Sequence, residues 1–298
     1  MYVTTVLTGY SIPMPAQILS GLEPAKILLE SLRPKIQELN PTLVILQIGE
    51  EAVSTVYIQK KIAACQKIGM RCEHRKLPFE ASFQELLEAI EQLNADTDVH
   101  GIILQLPLPP HLQQTLPLIH RAIHPKKDVD GFTAYNLGKV FLGREFEHLP
   151  PATPAGIIAL LEYYKIEVGG KHVVVVGRSN IVGKPLGIMF LNRDATVTIC
   201  HSKTVDMRQK TLEADILVSA VGKPKLITAD MVKPGAVVID VGISRSEDEG
   251  LVGDVDFAQV KEVASAITPV PGGVGPMTVA SLLRNCVRAA ERQKEPSL

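Results

Sequence analysis

Apolar residues along this chain gather into short, nearly unbroken runs, separated by stretches in which they recur every three to four positions. The runs at 42–48 (TLVILQI), 99–106 (VHGIILQL), 172–176 (HVVVV), 195–200 (ATVTIC), 215–221 (DILVSAV) and 236–241 (AVVIDV) read as β-strands. Several have no polar face, as expected of parallel strands covered on both sides. Helical spacing follows at 54–68, 83–94, 154–164 and 184–191. This alternation predicts an α/β fold built on parallel, doubly wound sheet. An earlier helix at 23–39 contains Pro34, where a kink or break is expected because proline lacks a donor and crowds the preceding turn. A last helix at 277–293 is expected to pack back on the first half of the chain.

The length of 298 residues suggests two domains. Three prolines within 145–154 (EFEHLPPATP) place the break there, giving a first domain at 1–149 with the terminal helix 277–298, and a second at 150–276. Residues 1–16 read as an extension ahead of the folded core. They carry neither the basic start of a signal peptide nor the arginines of a transit peptide.

Charge changes the picture by exclusion. Against 31 basic residues stand 32 acidic ones, so no basic excess points to nucleic acid, and no apolar run is long enough for a membrane span. A small-molecule partner is expected. Cys65, Cys72, Cys200 and Cys286 lack the spacing of a zinc site or a redox pair, which predicts free thiols in a cytoplasmic protein and no metal.

The chemistry begins at 177–185, GRSNIVGKP, which follows HVVVV. Strand, glycine turn and helix form the context in which backbone N–H groups and a helix N-terminus hold a phosphate. The glycine spacing is G-x-S-x-x-x-G, so the match to the dinucleotide fingerprint is poor, and an ordinary βα loop is the competing reading. A second feature favours a cofactor. NAD-binding domains place an acidic residue about 20 positions on, to bond the ribose hydroxyl. Here the corresponding strand ends Cys200-His201-Ser202-Lys203. Without a carboxylate, Arg178, Ser202 and Lys203 suit a 2′-phosphate, which favours NADP over NAD.

In the first half, STVYIQKKIAACQKIG (54–69) places Ile58, Ile62 and Cys65 on one helical stripe and Tyr57 with Lys61 on the next. Lys60 lies near that face too, and spacing alone does not choose between the lysines. Gln105 interrupts an apolar run at a strand's carboxyl end, where an amide needs either a structural partner or a ligand. In KKDVDGFTAYN (126–136), Asp128 and Asp130 either make a turn or face a cleft. TPVPGGVGPMTV (268–279) is either a hinge or bare backbone for a flat ligand.

Taken in order, YIxxK, QLPLP, KDVDGF, GRSxIVGxP and TPVPGGVGPMTVA resemble the bifunctional methylenetetrahydrofolate dehydrogenase/methenyltetrahydrofolate cyclohydrolase family, from about residue 17 to about residue 290. The resemblance implies two α/β domains flanking a cleft, the second Rossmann-like, with NADP as cofactor, a tetrahydrofolate derivative as substrate and a homodimer formed through the cofactor domain. It selects Lys61 over Lys60 as the catalytic lysine, with Gln105 beside it, Tyr57 stacking on the folate and Asp130 bonding the pterin. Leu106, Pro107, Gly275 and Pro276 are the remaining folate contacts it implies. On the cofactor side it implies Thr153, Gly177, Arg178, Ser179, Ile181, Val182, Gly183, Ser202, Gly222 and Ile243. Two features depart from the family pattern. Ala152 stands where many members have cysteine, and the extension before Gln17 lies outside the pattern. A shikimate-type dehydrogenase is the main rival reading. It has no use for the set Tyr57, Lys61 and Gln105.

Overall fold

The computed structural model describes residues 15–50, 52–246 and 250–294. Three parallel strands, β2 (Thr42–Ile48), β3 (Arg71–Leu77) and β4 (Gly101–Leu104), form one sheet in the order β3-β2-β4, preceded in the chain by the short strand β1 (Gln17–Ile18). Every residue of β2 is buried, because helices cover both faces of this central strand. The covering helices are α1 (Leu22–Leu39), α2 (Ala52–Ile68), α3 (Phe83–Ala95) and α4 (Leu116–Ala122). A capping box of Ser82 and Glu85 fixes the start of α3. After α5 (Ala134–Leu142) and α6 (Ala152–Tyr163) the chain enters a second sheet.

That sheet contains β5 (His172–Val176), β6 (Thr196–Cys200), β7 (Ile216–Ser219), β8 (Val237–Asp240) and β11 (Ala266–Ile267), all parallel. A small antiparallel hairpin, β9 (Ser244–Ser246) with β10 (Gly250–Val252), lies outside it. The helices here are α7 (Gly183–Leu191), α8 (Met207–Leu212) and α9 (Phe257–Val260). The order β1-β11-β8-β7-β5-β6 reverses direction at β5, so the loops after β5 and β7 open on the crevice where such sheets take ligands.

Two segments cross the expected division. Gln17–Ile18, assigned by sequence to the first domain, hydrogen-bonds beside Ala266–Ile267 as the edge of the second sheet. The last helix, α10 (Val274–Lys294), starts three residues earlier than 277 and supplies two cores. Met277 and Ala280 pack with Ile157 and Leu186, while Leu283 and Cys286 pack with Ile45 and Ile58.

The break expected at Pro34 does not occur. α1 runs through it, with the proline on the exposed side and Leu32 and Ile36 buried on the other. Two cores hold the flanking turns, which outweighs the one lost bond. Strand β3 has no counterpart among the apolar runs. RCEHRKL is a sheet edge with much of its surface open to solvent, so its composition is polar. The expected extension at 1–16 lies outside the described residues except for Pro15 and Ala16.

Candidate functional site

The first group of side chains forms where α2 meets the end of β4. Ile58 and Cys65 of α2 are buried, which turns Lys61 toward the sheet's carboxyl edge. Lys61 Nζ donates to Gln105 Oε1 at 3.1 Å. Gln105 Nε2 donates to the Leu106 carbonyl at 2.7 Å, and that bond fixes the amide so that its oxygen meets the lysine. The Gln105 backbone N–H donates to Leu46 O at 2.8 Å, which anchors the residue to the sheet. Lys60, left open by spacing, is exposed, and its ammonium lies 5.7 Å from the centre of the Tyr57 ring.

Burial holds the Lys61 amine below the usual lysine range, with attraction from Asp130 opposing the shift. Burial also pushes the Asp130 carboxyl up to about 6, against the pull of Lys61, while Asp128 adds to the rise. The two carboxylates have separate fates. Asp128 turns inward: Oδ1 accepts from the N–H groups of Gly131 and Phe132, and Oδ2 accepts from Thr133 N–H and Asn136 Nδ2 at 2.8 Å each. It organises the turn that starts α5 and does not face the cleft. Asp130, presented by that turn, lines a small cavity with Asp128, His120 and Phe132.

Beside this group lies a cleft of about 650 Å³. One wall is helical, with Leu29, Tyr57 and Ala64; the other joins loop residues Val241, Ile243 and Pro271 to Gly275 and Pro276 in the first turn of α10. The side on which a Cβ would stand at Gly275 is open, with no atom within 4 Å. Lys61, Gln105 and Asp130 are not part of this lining. They begin one helical turn beyond Tyr57. Leu106 is half-buried and Pro107 exposed at the same strand end. The sequence reading missed Lys26 and Lys67, which join Lys60 along the cleft. As single charges on exposed helix faces they carry no signal of their own.

At the second sheet, Val176 pairs with Cys200, so the chain after β5 and the chain after β6 emerge side by side. Gly177 has φ +129°, and a Cβ there would lie 2.4 Å from the Ala220 carbonyl oxygen. A Cβ at Gly183 would lie 2.1 Å from the Gly177 oxygen. The serine that breaks the glycine fingerprint fastens the turn to the start of α7. Ser179 Oγ accepts from the N–H groups of Val182 at 3.1 Å and Gly183 at 3.3 Å. Arg178, Ser202 and Lys203 are exposed around this loop, and Ile181 and Val182 are half-buried within it. A tight backbone cradle with cationic and hydroxyl neighbours and no carboxylate at the end of β6 fits a phosphorylated dinucleotide. Thr153, in the first turn of α6, is tied to α10 by Thr278 Oγ1 at 3.2 Å.

A pair of buried aspartates, also missed, holds the neighbouring loops. Asp240 accepts from the N–H groups of Gly242, Asp254 and Val255. Asp254 accepts from Ser219 Oγ and from the N–H groups of Val221 and Lys223. Burial pushes the Asp240 carboxyl up to about 7, although its three N–H donors pull the other way. This brace sets the positions of Gly222 and Ile243, and DV and DVD strings gave no hint of it in sequence.

Comparison with known proteins identifies relatives of this chain in sequence and in fold. Residues 19–130 match the tetrahydrofolate dehydrogenase/cyclohydrolase catalytic domain, and residues 151–294 match the NAD(P)-binding domain of the same family. A relative from Exiguobacterium sibiricum, "Bifunctional protein FolD", is 53% identical over 88% of this chain and 93% of its own length. Among solved structures, the bifunctional methylenetetrahydrofolate dehydrogenase/cyclohydrolase of Campylobacter jejuni is 42% identical, with a TM-score of 0.89 over 93% of this chain and 99% of that one. The Trypanosoma brucei enzyme, solved with NADP cofactor and an inhibitor, is 34% identical, with a TM-score of 0.88 over 94% and 98%.

Proposed function

The chain belongs to the tetrahydrofolate dehydrogenase/cyclohydrolase family, and from that premise we propose how its residues divide the work of two reactions. The enzyme oxidises 5,10-methylenetetrahydrofolate with NADP and hydrolyses the methenyl product to 10-formyltetrahydrofolate. The observation that carries the division is the buried Lys61 amine held by the oriented amide of Gln105.

For the oxidation, bound NADP would supply the hydride acceptor for the methylene carbon, whose cation would be shared by two folate nitrogens. No protein acid or base is required; the chain contributes orientation. We assign the folate to the cleft, with Tyr57 stacked on it and Gly275 and Pro276 on the facing wall, and with its pterin reaching past that lining to Asp130, Leu106 and Pro107. Lys26, Lys60 and Lys67 suit the carboxylates of its glutamate end. Gly177, Ser179, Ile181, Val182 and Gly183 would hold the pyrophosphate, Arg178 and Ser202 the 2′-phosphate, and Thr153, Gly222 and Ile243 the remainder.

In the hydrolysis, water adds to the methenyl carbon. Neutral Lys61 takes the water's proton while Gln105 Oε1 accepts one of its N–H bonds, leaving the lone pair free. The C–N5 bond then breaks as Lys61 returns its proton to N5 and the carbinol hydroxyl releases its own proton to water, leaving the formyl group on N10. A coupled assay tests the scheme: NADPH should form on addition of methylenetetrahydrofolate, followed by decay of the methenyl absorbance. Hydride transfer without that decay would remove the second activity. Arg178→Ala should raise KM for NADP about tenfold, since hydrogen bonds to charged groups contribute about 1.5–3 kcal/mol, and should leave KM for NAD nearly unchanged. Equal effects on both cofactors would reassign Arg178.

We place the folate site on residues to about 149 with the terminal helix, and the cofactor site on 150–276. The four free cysteines support a cytoplasmic setting. A homodimer is supported by an apolar surface beside the open edge of β6. Phe141 is 73% exposed, Leu142 68% and Leu191 56%, and Ile199 lies on the edge strand itself. Sedimentation of the wild type should give the dimer mass, and Leu191→Glu the monomer mass; a monomeric wild type would exclude this assembly.

A further inference from the structure

A second cavity, of about 230 Å³, shares no lining residue with the folate cleft. It lies between α6, the end of α7 and α10, and four arginines line it: Arg144, Arg193, Arg284 and Arg288. Only two carboxylates, Glu147 and Glu162, line it with them, so the lining carries two more arginines than carboxylates, with Glu291 beyond it attracting Arg288.

Both carboxylates are already engaged. Glu147 takes the fork of Arg193, with Nη1 at 3.0 Å and Nη2 at 2.9 Å, and also accepts from Asn192 Nδ2. Glu162 stands 3.8 Å from Arg144 at the exposed rim. Among the described residues, Arg284 and Arg288 make no ion pair. They are four apart on α10, an arrangement that destabilises a helix through like-charge repulsion. The Nε–H groups of Arg284 and Arg193 are buried without a hydrogen-bond partner. Burial, with repulsion from Arg288 and Arg193 and against attraction from Glu162, lowers the Arg284 guanidinium to about 10. An unpaired buried charge is costly, and buried donors in native proteins have partners.

We propose that this cavity binds a small phosphoryl oxyanion, with Arg284 and Arg288 as its principal donors and Arg144 at its mouth. Guanidinium forks match the oxygens of phosphate in pairs. The apolar wall of Ile158, Ala159 and Met189 leaves room for a short carbon body, so a phosphomonoester fits the same donors. An anion there ties α10 to α6 and α7.

The test is calorimetry with NADP saturating, so that the cofactor's own phosphate sites are filled, and with ionic strength held constant by chloride. Inorganic phosphate and glycerol 3-phosphate are titrated separately. One equivalent per chain of either is expected to bind, the tighter of the two identifying the free or esterified source. Arg288→Gln should weaken this binding at least tenfold, as should Arg284→Gln if circular dichroism shows it folded; Arg144→Gln should weaken it less. Absence of binding at millimolar anion, or equal binding by wild type and Arg288→Gln, overturns the proposal. So does dimer-dependent protection of these arginines by a carboxylate of a second subunit, seen as phosphate binding only in the monomeric Leu191→Glu variant.

Discussion

Lys61→Met should abolish cyclohydrolase turnover while leaving a folded protein that still binds NADP. The side chains are similar in length and methionine packs where the lysine stem packs, so the lost function is the amine. General-base catalysis contributes about 10²–10⁴-fold, and a loss of at least about 10³ is expected here because Gln105 offers no basic lone pair in its place. The sign of the pH dependence follows from burial. Free lysine titrates near 10.4, so only about one in 2,500 is neutral at pH 7. The Lys61 amine sits below that range, so cyclohydrolase kcat should rise with pH through a midpoint lower than that of free lysine, then level off. Asp130 favours the charged amine, so Asp130→Asn should move the midpoint to still lower pH. It should also weaken folate binding more than NADP binding. In the wild type, KM for the folate should increase as pH falls below about 6, where Asp130 takes up its proton. Unchanged cyclohydrolase activity in Lys61→Met would end the assignment, and a midpoint that does not respond to Asp130→Asn would separate the two groups.

The parts of this molecule that sequence reveals are those in which one environment acts on a whole segment. β2 and β5 are covered on both faces, so every position answers to the same demand and the run is unmistakable. β3 answers to solvent along much of its length and reads as loop. Pro34 obeys the local rule, but packing from two cores overrides it. The site follows the same logic. Lys61 and Gln105 stand 44 positions apart in sequence, and no spacing within either segment predicts their 3.1 Å contact. The family pattern supplied the pairing; local chemistry supplied only that a lysine on a helix face and an amide at a strand end each needed a partner. Asp128 and Asp130 look equivalent in DVD, yet four donors converge on the first while the second is left to interact with Lys61. The arginine cavity is assembled from three separate stretches, each unremarkable alone.

Gly177→Ala should destabilise the protein and remove cofactor affinity together, because one methyl group meets two obstacles. The backbone at φ +129° is a conformation L-residues rarely adopt, which costs about 1–3 kcal/mol. The new Cβ also falls 2.4 Å from the Ala220 carbonyl oxygen, on the loop that follows β7. That loop cannot retreat freely, since Asp254 holds it through the N–H groups of Val221 and Lys223. Overpacking of this kind costs about 1–3 kcal/mol more. A loss of about 3 kcal/mol should lower Tm by about 6–12 °C for a domain of this size. The turn from Gly177 to Gly183, on which the cofactor is proposed to rest, would open, so Kd for NADP should rise at least tenfold. Folate binding in the cleft, whose walls lie on α1, α2 and the loops after β8 and β11, should change much less. Gly138→Ala is the control: it sits inside α5 with no atom within 4 Å of the added methyl, and should leave both ligands untouched while raising Tm slightly through helix propensity. Tight NADP binding by Gly177→Ala would mean that the cofactor does not rest on this turn, and the reading of GRSNIVGKP as its cradle would fail.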